Sequence, residues 1–332
     1  MAVRSSFLVP VAALSGVGFA LIGIAYRMGQ PAGILPLHIM VFLAGGGALF
    51  FGVRSWGIPL RQVPLRVVIY GVGSGLSQFL LVRVIDEALK MGPLSPVWCA
   101  LSLSIIPTIV FASVFLGEKL GRMQVLAMVS GVLCVLAASG AQQQPAGEAR
   151  ALANTWLAYV GVLLLIPTFN CISQIAIKDM NHRPHRAGGR LIDHFNALFL
   201  MLMYLCLWLG TVAYLLATRN VNVPLMPTAG LGLLAAAGSI SGMAALTACA
   251  RLPAAILFTL TSVLSILATA IVSTSAFGEE RSVCWFGTVG FAVLTVVLAS
   301  ASGSGRSADG EAGMRAASSP PPTGRPAAGG CA

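Results

Sequence analysis

Residues 115–139 read FLGEKLGRMQVLAMVSGVLCVLAAS, and residues 276–300 read AFGEERSVCWFGTVGFAVLTVVLAS. Each stretch has an apolar or aromatic lead, then a Gly-Glu pair (Gly117 and Glu118; Gly278 and Glu279), then an apolar run ending in LAAS or VLAS. Two more anchors recur in the same order: ALKMGP (88–93) with ACARLP (248–253), and IAYRM (24–28) with IAIKDM (175–180). A period of about 150–160 residues marks two copies of one structural unit.

Working outward, the chain between these anchors is apolar in blocks. Of its 332 residues, 57% are apolar and 9% charged, and the mean hydropathy is +0.88. A soluble domain needs more polar surface than that. Blocks of roughly 18 or more apolar residues have the length of a helix that crosses the hydrocarbon, and no stretch keeps the period-two alternation of a barrel wall. The expected spans are Phe7–Tyr26, Leu35–Val53, Val67–Val82 (continuing toward Lys90), Pro93–Leu116, Met123–Ser139, Trp156–Ile177, Phe195–Ala217, Thr228–Ala250, Leu252–Phe277 and Val283–Ala301. The first block follows a short segment with Arg4 and has a counterpart in the second copy, so it reads as a retained helix rather than a signal peptide. Five spans per copy is an odd number, so the second copy enters the membrane inverted. The expected fold is an all-α integral membrane protein of ten transmembrane helices in two inverted five-helix repeats: 1–140, a linker at 141–154, then 155–302. Residues 303–332, rich in Gly, Ala, Ser and Pro, bury too little to offset their ordering entropy and read as a disordered tail.

The net charge of +10 is scattered singly between apolar blocks, which fits topology signals rather than a nucleic-acid surface. One side receives Arg4, Arg54, Arg61, Arg66, Lys119, Arg122, Lys178, Arg183, Arg186, Arg190, Arg251, Arg306, Arg315 and Arg325. The other receives Arg27, Arg83, Lys90, Arg150, Arg219 and Arg281. The richer side, with both termini and the tail, is expected to be cytoplasmic, in a bacterial inner or plasma membrane. The seven cysteines form no C-x-x-C pair, so they read as small buried hydrophobes rather than metal ligands or disulfides.

Residues 88–132, from ALKMGPLSPVWCALSLSIIPTIVFASVFLGEKLGRMQ to the Gly-Val of the next helix, resemble the EamA-type members of the drug/metabolite transporter superfamily. The match lies in the helix with central Pro107, the Gly-Glu turn and the Gly-containing helix that follows. In the second copy Ala268 stands where the proline would fall, and the hairpin is two residues shorter. The resemblance implies a ten-helix carrier exporting or exchanging metabolites such as amino acids, sugars or nucleotide-like compounds. Inverted repeats of this kind place the substrate near the midplane between halves.

Candidate substrate contacts are polar groups in the spans. Asn170, Gln174 and Lys178 follow Pro167 at a spacing of four, on one face that should turn away from lipid; bonding between helices is the competing role. Ser95, Trp98 and Ser102 share a face of the fourth span, Thr259, Ser262 and Ser265 a face of the ninth, and Gln78 is the amide of the third. Pro107, Pro167, Glu118 and Glu279 read as structural, the two glutamates meeting the free N–H groups that open the fifth and tenth helices. Asp86 and Glu87 read as a local ion network with Arg83 and Lys90. Asp179 is placed in the loop after the sixth span, and His38 reads as a satisfied interfacial group. The spans carry no carboxylate at mid-depth of the kind that binds cation and proton in turn, so a neutral, zwitterionic or anionic substrate is expected.

No nucleophile–base pair, metal cluster or phosphate loop is present in the sequence. An enzyme is therefore not expected, nor a cofactor or metal. The expected partners are a small-molecule substrate and the lipid bilayer, with no nucleic acid and with a homodimer left open. The alternatives are a sugar or nucleotide-sugar exchanger of an internal membrane, a membrane-embedded enzyme, and a non-transporting structural or receptor protein.

Overall fold

The computed structural model describes residues 5–57, 61, 63–91, 100–118, 120–140, 153–182, 189–220, 224–250, 252–276, 286–298 and 301. They form α1 (Ser5–Gly29), α2 (Pro36–Arg54), α3 (Leu65–Met91), α4 (Ile105–Phe115), α5 (Arg122–Gly140), α6 (Ala153–His182), α7 (Gly189–Ala217), α8 (Leu225–Ala248), α9 (Ala254–Ala276) and α10 (Phe286–Leu298), with no strand among the described residues. Residues 141–152 of the linker, the tail, Ser95, Trp98 and Glu279 lie outside the described residues, and the last two residues expected in the linker open α6.

Seven helices are long and apolar enough to cross a membrane: α1, α2, α3 and α6 to α9. The stretches Ala100–Phe115, Arg122–Cys134 and Phe286–Leu298 are shorter apolar helices. Ala100–Phe115 and Phe286–Leu298 begin beside residues outside the described set, and α5 runs 19 residues to Gly140. The fourth expected span is interrupted within the described residues. Residues 100–102 are helical, 103 and 104 form a turn, and α4 restarts at Ile105. Pro107 has no N–H and its ring clashes with the carbonyl four residues back, which belongs to Leu103. The eleven residues of α4 rise only about 16 Å at 1.5 Å each, about half the hydrocarbon thickness.

Local signals set the ends. Pro36 opens α2 at a position where its missing N–H costs nothing, and His38 Nδ1 accepts the Leu35 N–H at 3.3 Å. Gly117, at φ +66°, closes α4, and the Glu118 N–H reaches back to Ala112 O at 3.2 Å. A left-handed glycine just past the helix end is a common helix stop, and it explains the Gly-Glu pair: glycine takes the left-handed turn and the glutamate is thrown clear of the helix.

The principal packed pairs are α1 on α8 and α9, α2 on α7 and α8, α3 on α6 and α7, α4 on α6 and α9, and α5 on α9. Nearly all join one of the first five helices to one of the last five. Exchanging each helix with the one five places away turns α1·α8 into α3·α6, α2·α8 into α3·α7 and α1·α9 into α4·α6, all of which occur. Apolar side chains on α3 such as Ile69, Val72 and Leu76 stay exposed, as a lipid-facing surface requires.

Several crossings are backbone to backbone. A Cβ on Gly238 would lie 2.4 Å from Gly18 O, and one on Gly75 would lie 2.5 Å from Met203 O. The two G-x-x-x-G pairs, Gly71 with Gly75 and Gly238 with Gly242, therefore seat α3 on α7 and α8 on α1. Backbone cannot step aside as a side chain can. Gly238→Leu is expected to cost about 3 kcal/mol, the upper part of the overpacking range, read as a lower melting temperature in detergent. A melting temperature equal to that of the parent would contradict the close crossing.

Candidate functional site

A cavity of about 270 Å³ lies among the helices. Its lining includes Phe19 and Tyr26 of α1, Met40 of α2, Gln78 of α3, Ser102 ahead of α4, Asn170, Ser173 and Gln174 of α6, Tyr204 of α7, Ser239 of α8, Phe258, Thr261, Ser262 and Ser265 of α9, and Thr288 of α10. Gln78, Asn170, Tyr204, Ser239 and Ser265 each sit within about one turn of the middle of the spans Leu65–Ala88, Gly161–Asn181, Asp193–Ala217, Leu225–Ala248 and Ala254–Ala276. The cavity is at mid-depth. Its volume would hold about nine waters at roughly 30 Å³ each.

The polar face of α6 builds one wall. Asn170 Nδ2 donates to Leu101 O at 3.2 Å and Ser104 Oγ at 2.8 Å. Gln174 Nε2 donates to Ser104 Oγ at 3.0 Å, and Thr108 Oγ1 lies 2.8 Å from Gln174 Oε1. These amides bond to the turn at the break before α4, where Leu101 O also accepts from the Ser104 N–H at 3.3 Å and Ser104 Oγ at 2.7 Å. Gln78 Nε2 donates to Ser173 Oγ at 2.8 Å, joining α3 to α6. On the other side Ser15 Oγ and Thr261 Oγ1 meet at 2.8 Å, and Tyr204 Oη and Ser239 Oγ at 2.6 Å.

One turn beyond Gln174, Lys178 is 2% exposed. Its Nζ donates to Ala250 O at 3.2 Å and to Leu252 O, and pairs with Glu118 Oε1 at 2.6 Å. Glu118 Oε2 accepts the Ala254 N–H at 2.8 Å. Lysine thus meets carbonyls beyond the end of α8 and glutamate meets the start of α9, each at the helix pole of opposite sign. Glu118 does meet a helix N-terminus, but that of α9 rather than α5. Next in sequence, Asp179 takes Arg66 and Tyr70 of α3, the tyrosine at 2.5 Å. Asp179 is in α6 and buried, not in a loop as expected, because α6 continues to His182. Both ion pairs occupy one end of the bundle and both join the first five helices to the last five.

The charges at the far end of α3 behave differently. Arg83 pairs with Asp86 at 3.1 Å and Glu87 at 3.0 Å on its own helix and lies 3.9 Å over the Tyr214 ring of α7. Along α3, Arg83 is about 26 Å from Arg66 by helical rise. The network is local, as expected, although Asp86 is buried. His38 is satisfied on both nitrogens, with Nε2 3.0 Å from Asn220 O. In the α8–α9 turn, burial pushes the Cys249 thiol up to about 11, and it donates to Leu8 O at 3.3 Å as a neutral group.

Of the nine substrate contacts expected, Gln78, Ser102, Asn170, Gln174, Ser262 and Ser265 line the cavity. Thr259 does not: it is fully buried against Gly131. Tyr26 and Tyr204 were missed. The first precedes Arg27 and reads as an interface anchor, and nothing in the sequence around Tyr204 sets it apart from its apolar neighbours. The Ser173 contact with Gln78 had a signal, since it lies between Asn170 and Gln174 and one helical turn after Asn170.

This arrangement is that of a multi-pass helical membrane protein with a partly open chamber whose described lining carries no charged residue. No family model matches the chain, and a search of curated proteins returns no match. Among solved structures, one described only as "Crystal structure of protein" is similar over 89% of this chain and 96% of its own, with a TM-score of 0.62 and 16% identity. That likeness is one of fold.

Breaking one side of the buried pair should cost about 3–5 kcal/mol. Lys178→Met is expected to lower the melting temperature in detergent more than Glu118→Gln, which keeps an acceptor for Ala254. The double variant should recover part of the loss. Equal, independent losses would contradict the pairing.

Proposed function

We propose that the protein is a secondary transporter, an alternating-access carrier that exports or exchanges a small polar metabolite, of the EamA type that residues 88–132 resemble. The observation that carries this reading is the mid-depth cavity bounded by both sets of five helices, with ion pairs that, among the described residues, cross between the sets at the Arg66 end of α3 and stay within α3 at the Arg83 end. The exchange of packing partners under a five-helix shift supports an inverted repeat, in which the halves rock about a central site. Arg66–Asp179 and Glu118–Lys178 then act as a latch at the end that carries the excess of basic residues, the cytoplasmic end on the charge-bias rule.

The small residues at the crossings suit this motion. Gly18 against Gly238 and Gly75 against Met203 present smooth backbone surfaces that slide without interlocking side chains. The lining offers no nucleophile activated by a neighbouring base among the described residues, so the residues fit passage of a solute rather than chemistry on it.

The direct test uses proteoliposomes loaded with a total soluble metabolite extract. The reading predicts that at least one solute leaves at least tenfold faster than from protein-free vesicles, measured by mass spectrometry of the retained contents. Loss at the protein-free rate for every solute would overturn it.

A further inference from the structure

Resting on the carrier reading, we infer that the cavity takes an uncharged solute that donates hydrogen bonds, received by the Asn170 and Gln78 carbonyl oxygens, and rejects solutes bearing an ionised group. The argument turns on which way the two amides face. Leu101 O can only accept, so the Asn170 atom 3.2 Å from it is the NH₂ group and its Oδ1 is turned elsewhere. Ser173 Oγ spends its one hydrogen on Asn170 O at 3.0 Å. Toward Gln78 it can therefore only accept, which makes the Gln78 atom at 2.8 Å Nε2. The walls take both hydrogens of Asn170 Nδ2 and one of the two on Gln78 Nε2. Asn170 Oδ1 and Gln78 Oε1 accept no hydrogen bond from the described residues, and both residues line the cavity.

The charge pattern points the same way. No Asp, Glu, Lys, Arg or His is among the described lining residues. Charges on the helices that build the wall lie outside the described lining: Lys178 pairs with Glu118, Asp179 with Arg66, and Arg83 with Asp86 and Glu87, while Arg27 follows Tyr26 on α1 without joining the lining. An anion would meet two carbonyl oxygens and no cationic group to balance its charge, with one amide N–H and hydroxyls as its donors, and a cation would find no carboxylate among the described lining residues. An ion brought here would lose its hydration without a charged partner. An uncharged solute carrying N–H or O–H groups pairs with the two oxygens, with Ser262 and Ser265 beside them. Its apolar part packs against Phe19, Met40 and Phe258.

The experiment loads proteoliposomes with three matched pairs, glucose with glucose 6-phosphate, uridine with uridine monophosphate, and nicotinamide with nicotinate, together with a total metabolite extract. The expected result is that every solute lost through the protein is uncharged at neutral pH, that no charged partner is lost, and that Gln78→Leu slows the loss at least tenfold. Gln78→Glu should slow it similarly and admit cationic solutes from the extract. Loss of an ionised solute through the parent protein overturns the inference and leaves the carrier reading standing. Loss of nothing at all overturns both. If an uncharged solute leaves at the parent rate through folded Gln78→Leu and Gln78→Glu, the role given to Gln78 is overturned.

Discussion

The contacts of Asn170 and Gln174 with Ser104 Oγ and Leu101 O tie α6 to the break ahead of α4. In hydrocarbon an unpaired backbone carbonyl costs several kcal/mol, and Leu101 O at this break accepts from the Ser104 N–H and Ser104 Oγ as well as from Asn170. Pro107 interrupts the helix before α4, and the amides of α6 bond to the turn that results. Once Asn170 and Gln174 face α4, the four-residue spacing carries Lys178 to the same side one turn on, where Glu118 waits at the α4 cap. Asp179 is then rotated toward α3 and meets Arg66. One proline and one polar helix face thus fix the relation of α3, α4, α6 and α9, and with it the cavity wall.

Most of this was legible in the sequence because membranes make patterns blunt. Apolar blocks gave the helices, the Gly-Glu pair gave the α4 turn, and the amide face of α6 was visible from its spacing. Six cavity residues followed from asking which polar groups a span would hide from lipid. What stayed illegible needed three-dimensional partners. Asp179 reads as a loop residue because nothing local says that α6 runs one more turn, and only Arg66, over a hundred residues away, explains its burial. Thr259 shares a helical face with Ser262 and Ser265, yet it packs on Gly131, a contact between distant helices. In the fourth expected span, hydropathy alone does not register the helix break ahead of Pro107.

The distribution of charge divides the bundle into three levels. At one end, two ion pairs join the halves; at the other, Arg83 holds partners on its own helix; between them the chamber has hydroxyls, amides and rings. Buried ion pairs add little net stability, since desolvation offsets most of their attraction, but they set which surfaces meet. At that other end Arg83 over the Tyr214 ring and His38 against Asn220 O also join the two sets of helices, by contacts other than ion pairs among the described residues. The amide oxygens facing the chamber have the complementary property: they are built, oriented and unoccupied by protein donors.

The carrier account requires the chamber to face each side of the membrane in turn. In a cysteine-free background, Gln78→Cys tests this with a membrane-impermeant thiol reagent added to one face of oriented vesicles at a time. The account predicts modification from either face, with Lys178→Met raising the rate from the latched end at least severalfold. Modification from one face only, at a rate that Lys178→Met does not change, would contradict it.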